Sequence, residues 1–309
     1  MGALLKQLGF YALHEPLGVA GDRTLYAATD ARTQQRVLLN VLDTLNEPDE
    51  QTVRQFVRLG ESGQRLRHDN ILTILDFGEI DRRYYVAIEP PRGVVLPQLL
   101  RQKERRLSFH DRMATVQQIA AALEHAHAQG CLHGALTPDV VWVDSRLHVQ
   151  ISMFGGVETT TDGAPMVTPF CAPEQLFPPA PIDARTDVYR LCALAYWLLL
   201  GRAPFHADSQ PSLRRQITYM PPLSPRSIRA DLPVALAAVL TFGLAKEPLA
   251  RYGAPSEFAA ALLQAEMQAA NSTPARRSTS LPIGSLRQLF ATLGQRSLTT
   301  LNSLKLPGQ

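Results

Sequence analysis

The 309-residue sequence predicts an α+β fold: a β-rich first part, a stiff connector, a helical second part and a basic tail. Three observations predict it. Short runs of β-branched and aromatic residues, separated by turn-formers, fill residues 10–90. Pro90-Pro91 then ends that pattern, because proline fixes φ and donates no hydrogen bond. From Leu107 onward apolar residues recur at three- and four-residue spacing over long stretches. The expected divisions are 10–90, 91–270 and 271–309.

Taken in order, Tyr26-Ala-Ala and residues 37–42 predict two strands, and the polar stretch 30–35 suits a hairpin turn between them. Residues 53–67 predict a helix, and 71–76 and 84–88 two further strands. Helices are expected over 108–129, 186–200, 234–245 and 255–270. Residues 271–282, rich in Ser, Thr, Pro and Arg, predict a linker. No internal repeat is visible.

The composition is that of a globular chain, 45% hydrophobic and 19% charged. The longest apolar run, 191–200, is short of the roughly 20 residues that cross a bilayer. No charged-then-apolar leader opens the sequence, so a cytoplasmic protein is expected, with the inner membrane face as a peripheral location. Cys131, Cys171 and Cys192 are odd in number and far apart, which predicts buried thiols and neither a disulfide framework nor a zinc site. The net charge of +3 is unevenly placed. Glu266 is the last acidic residue, and Arg276, Arg277, Arg287, Arg296 and Lys305 follow it. A basic tail on a nearly neutral body points to an anionic partner surface and away from nucleic acid.

Residues 133–141 read His-Gly-Ala-Leu-Thr-Pro-Asp-Val-Val. They resemble H-R-D-L-K-P-x-N, the catalytic loop of Ser/Thr protein kinases. Further landmarks follow in order. Thr168-Pro-Phe-Cys-Ala-Pro-Glu-Gln is similar to G-T-P-x-Y-x-A-P-E-Q. Asp183-Ala-Arg-Thr-Asp-Val-Tyr-Arg-Leu is similar to D-x-R-S-D-V-Y-S-L. Gly201-Arg-Ala-Pro-Phe and Lys246-Glu-Pro-Leu-Ala-Arg-Tyr match later motifs. Over residues 10–265 the chain resembles the bacterial Ser/Thr kinases of the eukaryotic type. That resemblance implies a two-lobed protein-kinase-like fold, with a β-rich N-lobe and a helical C-lobe. It also implies structural roles for His133, Phe154, Gly155, Glu174, Asp187 and Arg251, including a Glu174–Arg251 ion pair and an Asp187 that binds the catalytic-loop backbone.

The chemical positions of the family are filled differently. Phosphoryl transfer in kinases uses a lysine on the phosphates, a glutamate that orients it, a catalytic aspartate and two Mg²⁺ ions. The V-A-I-K strand is here Val37-Leu-Leu-Asn, which puts Asn40 at the lysine position. The helix glutamate position falls on Leu59, and Glu61 lies off that face. Ala135 stands at the aspartate position, Thr137 at the lysine and Val140 at the metal-ligand asparagine. D-F-G is Met153-Phe154-Gly155. In the glycine-rich loop only Gly18 stays in register, and Arg23 replaces a glycine. Arg23 is read as solvated or self-paired in preference to phosphate-binding. The adenine-pocket positions Gly18, Leu25, Leu38, Ile88 and Trp142 read as vestigial, with Leu38, Trp142 and Met153 filling the space. Apolar replacements relieve the cost of burying carboxylates without metal.

The resemblance with these departures therefore implies a degenerate member, a pseudokinase that is not an enzyme and takes no cofactor and no metal. It would act as a scaffold or allosteric regulator, its partner an active kinase or a phosphopeptide-binding protein. A metal-independent nucleotide sensor, and a weakly active kinase or other transferase with non-standard residues, are the alternatives. Thr159, Thr160, Thr161 and Thr168 fall where kinases are phosphorylated, although ordinary turn residues are the favoured reading. Ser278, Thr279 and Ser280 follow two arginines. In the tail, Leu286, Leu289, Phe290, Leu293, Leu301 and Leu304 fall near one helical face. Packing on the body, docking to an anionic membrane or partner, and disorder all stay open for that segment.

Overall fold

The structure is a computed structural model, and it describes residues 5–20, 23–43, 48, 50–102, 107–152, 167–177 and 180–271. The chain divides into two units, residues 1–269 and 270–309. Only Ala270 and Asn271 of the second are described, as the end of the last helix.

The first half forms an antiparallel sheet. Its strands are β1 (Gln7–Leu8), β2 (Tyr11–Ala20), β3 (Arg23–Asp30), β4 (Gln35–Asp43), β5 (Ile74–Ile80) and β6 (Arg83–Ile88). Their spatial order is β1-β2-β3-β4-β6-β5. Helix α1 (Glu50–Arg65) lies between β4 and β5 in sequence and packs on β5. Gly60 and Gly63, one turn apart on α1, permit that approach. A Cβ at Gly60 would stand 2.5 Å from the Phe77 ring, and one at Gly63 2.2 Å from Ile74. Alternation dictates the sheet: Val37, Leu39 and Val41 point into one cluster with Tyr11, Tyr26 and Tyr85.

A second sheet follows, of β7 (Val94–Val95), β8 (Val141–Val143) and β9 (Val149–Ile151), ordered β7-β8-β9. A parallel bridge between Ile71 and Ile151 joins the two halves. Helix α2 (Leu96–Arg101) leads into α3 (Phe109–Ala128), which starts on a full capping box between Ser108 and Asp111. Helix α4 (Ala184–Leu200) starts on the Asp183 side chain and stops at Gly201, whose φ of 79° suits glycine. It is buried almost all round, as its apolar run requires. Helices α5 (Gln210–Tyr219), α6 (Pro225–Ile228), α7 (Val234–Gly243) and α8 (Pro255–Asn271) complete the fold.

The expected helices therefore form within a few residues of their predicted bounds. The third expected strand differs. Residues 71–73 lie outside β5: Ile71 pairs with Ile151 in an isolated bridge, in which the Leu72 N–H donates to the Ile151 carbonyl and the Ile151 N–H to the Asn70 carbonyl. The short elements β1, β7, β8, β9, α2, α5 and α6 carry too little periodicity to be read from sequence alone.

Candidate functional site: a cleft between the lobes

The positions that would carry chemistry are placed by β4, α1 and the loop before β8. Asn40 stands in the middle of β4, opposite Leu25 on β3 and Val86 on β6. Leu59 projects from α1 into an apolar cluster with Leu42, Phe56, Leu72, Ile74, Val86 and Ile88 and is 2% exposed. Leu38 and Trp142 pack against that same cluster from β4 and β8. A cavity of about 10 Å³ beside Leu59, Gly63, Ile74, Ile88 and Ser152 leaves space for about one water. Glu61, by contrast, is exposed on the far face of α1.

Ala135, Thr137 and Val140 are all buried. Val140 belongs to the large core of the helical half, together with Leu136 and Val141. Of Leu38, Trp142 and Met153, the residues expected to fill the nucleotide pocket, only the first two are among the described residues. Leu38, Leu59 and Trp142 join the cluster under the sheet, while Val140 is absorbed into the core below. Asp139 is exposed, and Asp144 accepts backbone N–H groups from Arg146 and His148 at 2.7 and 3.0 Å. The Val140 side chain offers no oxygen, so the described side chains do not fit a two-metal centre of the kinase kind. Met153, Phe154, Gly155, Thr159, Thr160 and Thr161 lie outside the described residues, as do Ser278, Thr279 and Ser280.

Gly18 lies opposite Leu25, in a part of β2 where the register shifts on either side of Pro16. The Arg23 guanidinium sits 5.5 Å from the centre of the Phe56 ring, which ties it to α1.

The framework around this cleft is strongly polar. Asp187 is fully buried on α4 and accepts the His133 and Gly134 N–H groups at 2.8 and 2.7 Å. Its other partner is His127 Nε2, at 2.7 Å. Burial alone would raise the Asp187 pKa, but the His127 contact, the nearby histidines and the Gly134 N–H hold it below the usual carboxylate value. Burial pushes His133 down to about 4, so the ring is neutral, and its Nδ1 accepts the Ala135 N–H. Arg251 donates to both Glu174 oxygens, each at 2.8 Å, and its side chain is fully buried. It also donates to the Ala245, Lys246 and Arg185 carbonyls. Thr186 Oγ1 donates to Glu174 as well.

Sequence reasoning missed three contributors to this framework: His127, Gln175 and Arg190. Arg190 carried a signal, being a charged residue next to the apolar run of its helix, where the resembling motif has serine. The three cysteines are buried thiols.

The chain belongs to the protein kinase family: the protein kinase domain family matches it over residues 11–258. It is 31% identical to the serine/threonine-protein kinase PknE of Mycobacterium bovis over 263 residues, 82% of this chain and 46% of PknE. It is 27% identical to a protein of Clostridium acetobutylicum named as a probable serine/threonine-protein kinase, over 249 residues, 78% of this chain and 38% of the relative. The chain thus spans less than half the length of these curated relatives. Among solved structures it is similar to the PknI kinase domain of Mycobacterium tuberculosis. The TM-score is 0.69 at 27% identity, over 85% of this chain and all of that domain. The kinase fold expected from the sequence is therefore the fold observed. The expectation that the chain is not an enzyme is corrected by the same findings. Its family and its relatives, named as Ser/Thr-protein kinases, are enzymes. Loss of familiar residues at single positions is weaker ground than membership over most of the chain. Among the described residues, no helix is long and apolar enough to cross a membrane.

Proposed function

We propose that this kinase-family domain works chiefly through protein–protein contact, as a scaffold or allosteric regulator. Any phosphoryl transfer it performs would run on groups other than the family's usual set. One observation carries this reading. The lysine, glutamate, aspartate and asparagine positions hold Asn40, Leu59, Ala135 and Val140; the last three are buried, and Leu59 and Val140 are packed into apolar cores. The polar framework that shapes the surface is meanwhile complete. An active kinase or a phosphopeptide-binding protein suits such a surface as partner, and the basic tail suits an anionic membrane.

The second reading is a nucleotide-dependent domain, either a metal-independent sensor or a weakly active Ser/Thr kinase with non-standard residues. Membership of an enzyme family favours it. Thermal-shift titration with ATP, with and without Mg²⁺, separates the two. A ligand at 100 times its Kd stabilises by about 2.7 kcal/mol. Because Val140 ligates no metal, Mg²⁺ is expected to leave the ATP response unchanged. Mg²⁺-dependent phosphotransfer that disappears with Asn40→Ala would overturn the contact reading and establish the catalytic one.

A further inference from the structure

We propose that Arg190 is a positioning residue that holds the segment 167–177 in shape without phosphorylation. In kinases, phosphorylation commonly orders the activation segment through new arginine–phosphate pairs. The H-R-D motif carries an arginine directly after its histidine. This chain has Gly134 there, which brings no side chain to a phosphate. It has instead an arginine on α4, Arg190, directed at the same segment.

Arg190 is 3% exposed, and its guanidinium reaches three points. Nε donates to Gln175 Oε1 at 2.7 Å, Nη1 to the Leu136 carbonyl at 3.3 Å, and Nη2 to Cys171 Sγ at 3.5 Å. Gln175 relays the grip: its Nε2 donates to the Gly134 carbonyl at 2.7 Å, and its Oε1 also accepts the Ala172 N–H at 3.1 Å. Cys171 Sγ in turn accepts the Thr168 N–H at 3.3 Å. One turn earlier on the same helix, Asp187 holds the N–H groups of His133 and Gly134. A single helix thus grips the donors of loop 133–137 with an anion and its acceptors with a cation. The cation simultaneously binds both ends of 171–175. Arg214 completes the attachment by donating to the Leu176 carbonyl at 2.7 Å. Buried guanidinium contacts of this kind are the strong class of hydrogen bond and are costly to leave half made. The Thr168 hydroxyl is already engaged with Cys171 Sγ and the Phe170 N–H, so a phosphate there disturbs this arrangement rather than building it.

Amide hydrogen exchange on the full chain tests the proposal. The protein is treated with phosphatase and shown by mass to be unphosphorylated. Amides of 133–135 and 171–175 are expected to exchange slowly in that state, and equally slowly after co-expression with a Ser/Thr kinase. Arg190→Met is expected to accelerate both segments about tenfold or more while leaving α7 unchanged. Arg190→Lys, which reaches fewer acceptors, should fall between. Should Arg190→Met fail to fold, Gln175→Leu removes the relay while keeping the cation, and is expected to loosen 133–137. Exchange at the unstructured rate in the unphosphorylated wild type, protection that arises only after phosphorylation, or no change in Gln175→Leu would each overturn the proposal.

Discussion

The two sides of the cleft differ in what they keep. Leu59, Ala135 and Val140, at positions that the family resemblance assigns to phosphoryl-transfer groups, are buried apolar side chains, and Leu59 and Val140 sit in apolar clusters. Around Glu174, Asp187 and Arg251 every buried charge is matched by partners at hydrogen-bond distance. Burying a charge is tolerated only when it is paired. At Leu59 or Ala135 an unpaired carboxylate would lose its hydration on burial, a cost that an apolar side chain avoids. A carboxylate that closes on an arginine keeps its partner whatever happens to the chemistry. Chemistry and architecture therefore separate cleanly in one fold.

The largest test of that contrast is Arg251→Ala. It leaves Glu174 buried without its bidentate partner and is expected to cost roughly 3–5 kcal/mol. A wild-type chemical-denaturation midpoint for this variant would show that the framework does not depend on the pair.

Leu59→Glu tests the other side. Restoring the family's residue to a site 2% exposed, among Phe56, Ile74 and Ile88, is expected to destabilise by about 2–4 kcal/mol. Adding Asn40→Lys should return part of that loss, and the double-mutant cycle measures how much. No loss in the single variant would mean that α1 does not pack as described.

The smallest expected effect is in acid. Burial holds His133 near 4, below the value of about 6.5 for an unperturbed histidine. Between those two values the unfolded chain binds a proton that the folded one refuses, so stability falls as pH drops from about 6.5 towards 4. His68, lowered chiefly by burial and then by its neighbour His125, acts in the same direction. Melting temperature followed over that range should fall less steeply in His133→Gln than in the wild type. Equal slopes would mean that the His133 ring charges freely in the folded protein.

Much of this architecture is legible in the chain alone. Periodicity marks α3, α4, α7 and α8, because long amphipathic or apolar helices repeat their pattern many times. Motif order marks the kinase fold, and positions 40, 59, 135 and 140 are where the residue types depart from the family's motifs. The two- and three-residue strands are not legible, since so short a run has no period. Nor does sequence say whether a cation such as Arg190 is solvated or clamped, because its partners lie 15, 19 and 54 residues away. The sequence by itself determined the family, the main helices and which chemical groups stand in the cleft. Only the tertiary structure decided that Val140 joins the lower core, that Arg23 rests on Phe56, and that Arg190 grips two segments at once. Those outcomes depend on which distant surfaces meet, and hydrogen bonds and packing between them have no signature in local spacing.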